Sequence, residues 1–342
     1  MPNKNTYQLA FSLLILMLIL CFIINISLGS VSISNSELIE IFFGSSNNNT
    51  FKKIVLDYRL PKALTAIIVG SGLGVSGLMM QTLFRNPLAG PFVLGITSGA
   101  SLGVALTIMG SSVFGGLLAN TLVSKWGIVA AASAGSFLVL LSVLIVSTKI
   151  RDTMAILIIG LMFGSITTAI VSVLSYFTSA EDLQQYIFWG FGSLGNLSWE
   201  EVFILLIIYS VGLLLSLASI KALNTLLLGE NYARSLGLHI KKNRILIILA
   251  TSLLAGTITA FSGPIAFVGL AIPHITRQIF NTSNHKLLLP AVFIFGAIIM
   301  LICDSIAQLP NSDYTLPINV ITSLFGAPVV IWLLVRKRKM NF

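Results

Sequence analysis

The chain carries nine stretches without a single Asp, Glu, Lys or Arg: residues 5–36, 63–84, 86–124, 126–148, 153–180, 202–220, 245–276, 287–303 and 314–335. A helix that crosses the hydrocarbon core of a bilayer needs about 20 apolar residues. Repeated runs of that length leave one fold class open, because in lipid every backbone N–H and C=O must be satisfied within its own segment. The expected architecture is all-α, a polytopic membrane bundle. A β-barrel would show alternation in segments of roughly 10 residues, and a soluble globule would carry about 25% charged residues against 9% here. The first run exceeds the roughly 7–15 apolar residues of a signal peptide, so it reads as a retained first helix with Lys4 on the cytoplasmic side.

Charge sets the number of crossings. Lys4 and the tail Arg336, Lys337, Arg338 and Lys339 both read as cytoplasmic, which requires an even number. One long run therefore crosses twice. Dividing 245–276 at Ser262-Gly263-Pro264, where Gly and Pro break a helix, leaves only Lys52, Lys53, Arg59, Lys62 and Lys125 of the 20 Lys and Arg outside. Dividing 86–124 would instead throw the basic segment 221–244 outside. The first choice gives about ten helices in a single transmembrane domain, 1–342, and the two halves of the doubled run are expected to be short, tilted or re-entrant. The formal net charge of +9 is then a topology signal rather than a nucleic-acid surface.

The chemistry-bearing residues are sparse. No G-x-x-x-x-G-K-[ST] sequence is present to cradle ATP phosphates. His239, His274 and His285 are scattered, and Cys21 and Cys303 fall inside expected spans, so no metal or disulfide framework is indicated. No G-x-S-x-G or H-E-x-x-H supports a hydrolase. Asp152 and Asp304 lie only at span edges, whereas carriers coupled to ions usually keep ionisable groups within the bilayer. A stand-alone ion-coupled secondary transporter is therefore the alternative reading. It draws on a faint repeat, Ser76-Gly77 near Arg85-Asn86-Pro87 and Ser262-Gly263 near Pro273 to Arg277.

Glycines recur at helical spacing, Gly70 and Gly74, then Gly95, Gly99 and Gly103, then Gly160 and Gly164, which points to close helix packing. Within the basic segment 221–244, residues Leu228 to Gly237 read as a short amphipathic helix with Ala233 and Leu236 near one face. It is a solvated connector, a helix lying on anionic lipid, or a docking element for a soluble partner. The aromatic segment holding Tyr186, Phe188, Trp189, Phe191 and Trp199 is an interfacial belt or a lid over a path.

Taken together, Arg59-Leu60-Pro61-Lys62, Gln81-Thr82-Leu83-Phe84-Arg85-Asn86-Pro87-Leu88-Ala89-Gly90-Pro91, Trp189-Gly190-Phe191-Gly192-Ser193-Leu194, Leu228-Gly229-Glu230, Phe267-Val268-Gly269-Leu270-Ala271-Ile272-Pro273-His274-Ile275-Thr276-Arg277 and Gly326-Ala327-Pro328 resemble the FecCD-type permeases. These are membrane subunits of ATP-binding-cassette importers for iron–siderophore complexes, haem and cobalamin, and the resemblance runs nearly end to end. It implies a multi-pass permease of the bacterial cytoplasmic (inner) membrane that pairs with itself or a related chain and works by alternating access. Two ATPase subunits would carry ATP and Mg beneath it, and an extracytoplasmic substrate-binding protein would dock above. The chain itself would bind no cofactor.

The resemblance also implies site residues. Gly229, Glu230, Ala233, Arg234, Leu236 and Gly237 would form the ATPase-coupling element, while Arg59 and Lys62 would pair with carboxylates of the binding protein. The fifth and tenth helices would line the path, with Gly164 and Thr168 on its wall. Gln81, Arg85, Asn86, Pro87, Pro273, His274 and Arg277 carry the family motifs. Two positions depart from the pattern. Gln308 stands where the family often has an external Arg, implying weaker docking there, and Thr315-Leu316-Pro317-Ile318-Asn319 replaces E-L-P-x-G, implying altered geometry at the outer gate.

Overall fold

The computed structural model describes residues 4–44, 48–110, 123–150, 153–195, 197–309, 312 and 314–335. These form 14 α-helices and no strand: α1 (Lys4–Ser27), α2 (Asn35–Phe43), α3 (Asn49–Leu83), α4 (Ile96–Ile108), α5 (Lys125–Lys149), α6 (Thr153–Phe177), α7 (Ala180–Gly190), α8 (Trp199–Ala218), α9 (Ile220–Leu226), α10 (Glu230–Ser235), α11 (Ile240–Ser262), α12 (Val268–Phe280), α13 (His285–Ala307) and α14 (Ile318–Val335). Seven of them, α1, α3, α5, α6, α8, α11 and α13, are long and apolar enough to cross a membrane, and α4, α12 and α14 are shorter. The chain is a multi-pass membrane protein.

The doubled run breaks at Gly263, whose φ of 73° lies in the region that favours glycine. One detail differs from the sequence expectation. Only the second half is short, because α11 begins upstream at Ile240 and takes Lys241, Lys242 and Arg244 into its first turns, giving 23 residues. The 13-residue α12 carries Pro273 in its interior. In the run 86–124, α4 accounts for residues 96–108. Residues 111–122, Arg151, Asp152, Asp313 and the basic tail lie outside the described residues.

Helix starts follow their caps. Ser34, Ser124, Ser179, Ser198 and Asn284 each accept a backbone N–H of the following first turn, satisfying groups that have no partner inside the helix. At α8 the cap is reciprocal, since the Glu201 carboxylate accepts the Ser198 N–H at 2.7 Å.

α3 is the axis of the bundle, with every residue from Ile68 to Leu83 buried. Its neighbours approach to backbone contact. A Cβ on Gly70 would overlap the Gly296 carbonyl oxygen of α13, and one on Gly77 would overlap the Gly269 carbonyl oxygen of α12. A second seam joins α4 to α5, where a Cβ on Gly99 or Gly103 would meet the carbonyl oxygens of Gly135 and Ala131. Small residues drive such packing because lipid offers no hydrophobic gain for helix association, leaving close van der Waals contact to hold the helices. By contrast α1 and α6 turn apolar side chains outward, among them Leu16, Leu20 and Ile23, then Leu161, Met162, Ile166 and Val173.

The contacts sort the loops into two poles. One gathers Thr82 to Arg85, Ile150, the α9–α10 segment and Arg277 to His285. The other gathers residues 26–31, Lys62, Lys125, the 189–201 segment, the α11–α12 turn and residues 304–319. The Gly70→Ala substitution is expected to lower the melting temperature in detergent, as overpacking costs about 1–3 kcal/mol. Gly190→Ala, with nothing within 4 Å of the added carbon, should leave it unchanged; a scanning-fluorescence melt of both variants checks this.

Candidate functional site

At the first pole α9 buries Ala222, Leu223 and Leu226, and a turn brings the chain to Gly229 at φ 99°. α10 then runs for 6 residues and closes at Gly237, φ 82°, so both flanking glycines occupy backbone conformations that other residues resist. The Glu230 carboxylate accepts from the Arg244 guanidinium at 2.8 Å, and the same guanidinium donates to the Ile150 carbonyl at 3.2 Å. Arg244 is buried, so this pair pins α10 to α11 and to the end of α5. Ala233 is buried as expected, but Leu236 is not on that face. It is 60% exposed, because it caps the short helix rather than completing a second turn. Leu228, Tyr232, Arg234 and Leu236 therefore point outward together. Arg85, held at φ 47°, lies over Gly229.

Two of the motif residues, Gln81 and Arg277, stitch α3 to α12. The Gln81 amide donates to the Leu270 carbonyl at 3.0 Å, and Arg277 donates to the Thr82 hydroxyl at 3.2 Å. Arg277 lies in the last turn of α12 and reaches the last turn of α3, so its charge sits against the negative ends of two helix dipoles. Asn86 caps its own turn by accepting the Leu88 N–H at 2.9 Å, with Pro87 half-buried beside it. His274 is buried and Pro273 lies beside it inside α12.

His285 belongs to the same network and was not legible as such. Its Nε2 meets the Thr82 hydroxyl at 2.8 Å, and its Nδ1 and backbone N–H both face the Asn224 side-chain oxygen, at 2.9 and 2.8 Å. An oxygen that accepts on that side makes Nδ1 the protonated nitrogen. Its partners are 61 and 203 residues away in sequence, and no local motif announces them. Among the described residues no group of three or more His, Cys, Asp or Glu could hold a metal ion.

The second pole shows which groups Arg59 and Lys62 touch within the chain. Arg59 is not a free surface cation: it is buried, and its guanidinium donates to the carbonyls of Ile26 and Ser27 at 3.0 Å and to that of Val31. It closes the carboxyl end of α1, the position where a cation best satisfies leftover carbonyls. A π-helical stretch, Ile54–Arg59, places it there. Lys62 pairs within the chain with Asp304 at 3.2 Å and is the more accessible of the two basic residues. The buried Asp304 also accepts from Asn25 at 2.9 Å and from Gln308 at 2.8 Å. Gln308, itself buried, thus serves an internal carboxylate, which an external docking role would not require.

The second departure is also an internal contact. The Asn319 side-chain oxygen accepts the Ala266 N–H at 3.0 Å, its backbone N–H donates to the Phe191 carbonyl at 3.2 Å, and its amide nitrogen reaches the Gly190 carbonyl at 3.5 Å. The aromatic segment therefore folds inward over the α11–α12 turn. Lys125 and Glu201 pair at 2.6 Å nearby. Gly164 and Thr168 stand apart from both poles on α6: only the Ser98 hydroxyl, at 3.2 Å, would meet a Cβ on Gly164, and Thr168 is exposed.

These features match known transporters. The FecCD transport family model matches residues 17–336, and the chain belongs to that family. It is 36% identical over 285 residues to the vitamin B12 import system permease protein BtuC of Citrobacter koseri, covering 83% of this chain and 84% of that protein. To the protein of the same name from Klebsiella pneumoniae it is 38% identical over 281 residues, covering 82% of each. A solved structure described as an inward-facing conformation of a candidate metal-chelate type ABC transporter superposes with a TM-score of 0.82 at 32% identity, over 96% of this chain and 99% of that one. PsaBC from Streptococcus pneumoniae, in complex with Fab, shares the fold at a TM-score of 0.53 and 17% identity, over 86% and 94%. The chain is an ABC importer permease, a transport subunit rather than an enzyme, and the stand-alone carrier is set aside.

The Glu230–Arg244 pair yields a stability prediction. Glu230→Arg sets two guanidiniums against each other and should cost about 2–3 kcal/mol, somewhat below the roughly 3–5 kcal/mol of breaking a fully buried pair. Glu230→Gln keeps an acceptor for Arg244 and should cost less than about 1 kcal/mol. Thermal melts of the purified variants check the order.

Proposed function

We propose that this permease carries a large metal chelate across the bacterial cytoplasmic membrane, with cobalamin and iron–siderophore complexes the first ligands to test and haem the third. The vitamin B12 import relatives and the metal-chelate transporter support that class. The pole carrying α10 faces the cytoplasm in this reading, since positive charge concentrates on that side, and both termini lie there.

The observation that carries the coupling assignment is the construction of α10. Two positive-φ glycines and the Glu230–Arg244 pair hold it rigidly, while Tyr232, Arg234 and Leu236 are left facing out. An ATPase subunit that closes on ATP would move this element as a lever. Glu230 acts on the permease side of the contact, and the exposed side chains meet the partner. The binding protein docks at the opposite pole, where Lys62 is more accessible than Arg59. The exposed flank of α6, with Gly164 and Thr168, faces a second permease across the path, completing a pair with two ATPase subunits.

The test is reconstitution in liposomes with the ATPase and binding protein that co-purify. Vanadate-sensitive uptake of cobalamin, a ferric siderophore or haem is expected for one ligand class. Leu236→Asp should cut uptake at least about tenfold, the effect of a hot-spot loss of 1.4 kcal/mol or more, with an unchanged melting temperature. Full uptake in that variant would remove α10 from the coupling path.

A further inference from the structure

The segment after α7 divides space. Phe188, Gly192, Ser193 and Gly195 line a cavity of ≈ 900 Å³ on the side of Lys125 and Glu201, and the same four residues line one of ≈ 450 Å³ on the side of Asp304 and Pro317. Residues 189–195 are therefore a wall between two cavities. Leu194, 2% exposed, anchors the wall in the core, while Phe188 at 59% and Phe191 at 38% exposed bury little.

Before that anchor, a small set of hydrogen bonds fastens it. The Ser193 N–H donates to the Ser262 carbonyl at 2.9 Å, and the remainder converge on Asn319. That residue lies in the first turn of α14, where backbone N–H groups lack helical partners. Its N–H takes the Phe191 carbonyl, its amide nitrogen the Gly190 carbonyl, and its side-chain oxygen the Ala266 N–H beyond the α11–α12 turn. Asn319 thus ties together the wall, the turn and α14. The turn and wall are in near contact as well, for a Cβ on Gly263 would lie 2.6 Å from the Trp189 carbonyl oxygen.

We propose that Asn319 is the latch of a movable partition: while it is engaged, residues 189–195 keep the two cavities apart, and its release joins them into one vestibule. A glycine at 319 would retain the backbone bond to Phe191 but have no amide for Ala266 or Gly190. This chain therefore holds the partition more firmly than the E-L-P-x-G pattern would. What passes through the vestibule rests on the transport reading above. The latch itself can be measured on the resting permease without ATPase or ligand.

The experiment introduces Ser193→Cys into a Cys21→Ala, Cys303→Ala background and follows its reaction with a water-soluble maleimide in detergent. Losing two side-chain hydrogen bonds through Asn319→Gly should raise the labelling rate roughly tenfold. Asn319→Asp, which keeps the acceptor for Ala266, should fall between. An unchanged rate in Asn319→Gly overturns the proposal. Parallel samples that retain Cys303, buried in α13, report loosening of the whole bundle. If Asn319→Gly exposes Cys303, then Asn319→Asp decides: a raised rate at position 193 with Cys303 still protected supports the latch, and a rate equal to the parent's overturns it. Failure of ATP-driven uptake would leave these rates unaffected, so the two readings fall separately.

Discussion

Backbone contact around α3 is the constraint on which the rest of the structure depends. Gly70 against Gly296 and Gly77 against Gly269 bring α13 and α12 so close that no side chain fits between. That proximity allows a shared set of short polar bonds, Gln81 to Leu270 and Thr82 to both Arg277 and His285. Within a bilayer such bonds are modest individually. Here they lie at the end of a steric seam that already fixes the register, so each is made without further ordering of the helices.

Much of this was legible in the primary structure, and the exceptions have physical causes. Charge-free runs marked the spans because lipid tolerates nothing else, and Gly263 marked the break because it adopts a positive φ. Gly70, Gly99 and Gly103 announced their packing role by spacing. Their counterparts Gly135, Gly269 and Gly296 did not: Gly135 shares its spacing with Ala131 rather than with a second glycine, and Gly269 and Gly296 each stand as a single glycine on their helix. The segment 228–237 was readable as a helix between glycines. Leu236 was misplaced on it because six residues make barely more than one turn, too few for a helical face to persist.

The basic residues show the same limit. Sequence groups Arg59 and Lys62 on one side of the bilayer but says nothing about whether a charge looks outward. Arg59 closes the end of α1 and Lys62 answers Asp304, contacts that join residues 32 and 242 positions apart. Gln308 and, within the second departure from the family pattern, Asn319 resolve similarly: each amide takes up hydrogen bonds inside the chain, with Asp304 or across the α11–α12 turn. A missing charge and a missing glycine were each replaced by a side chain able to bond in two directions.

The contrast between α3 and α6 has an evolutionary corollary. A substitution on α3 between Ile68 and Leu83 must be accommodated by several helices at once, whereas most side chains of α6 from Leu161 to Val173 are exposed among the described residues. On the proposed transport reading, drift in side-chain volume along that flank would alter the bore between two subunits without unfolding either. A lineage could thus acquire a new cargo through a handful of changes on one helix while its scaffold remained frozen.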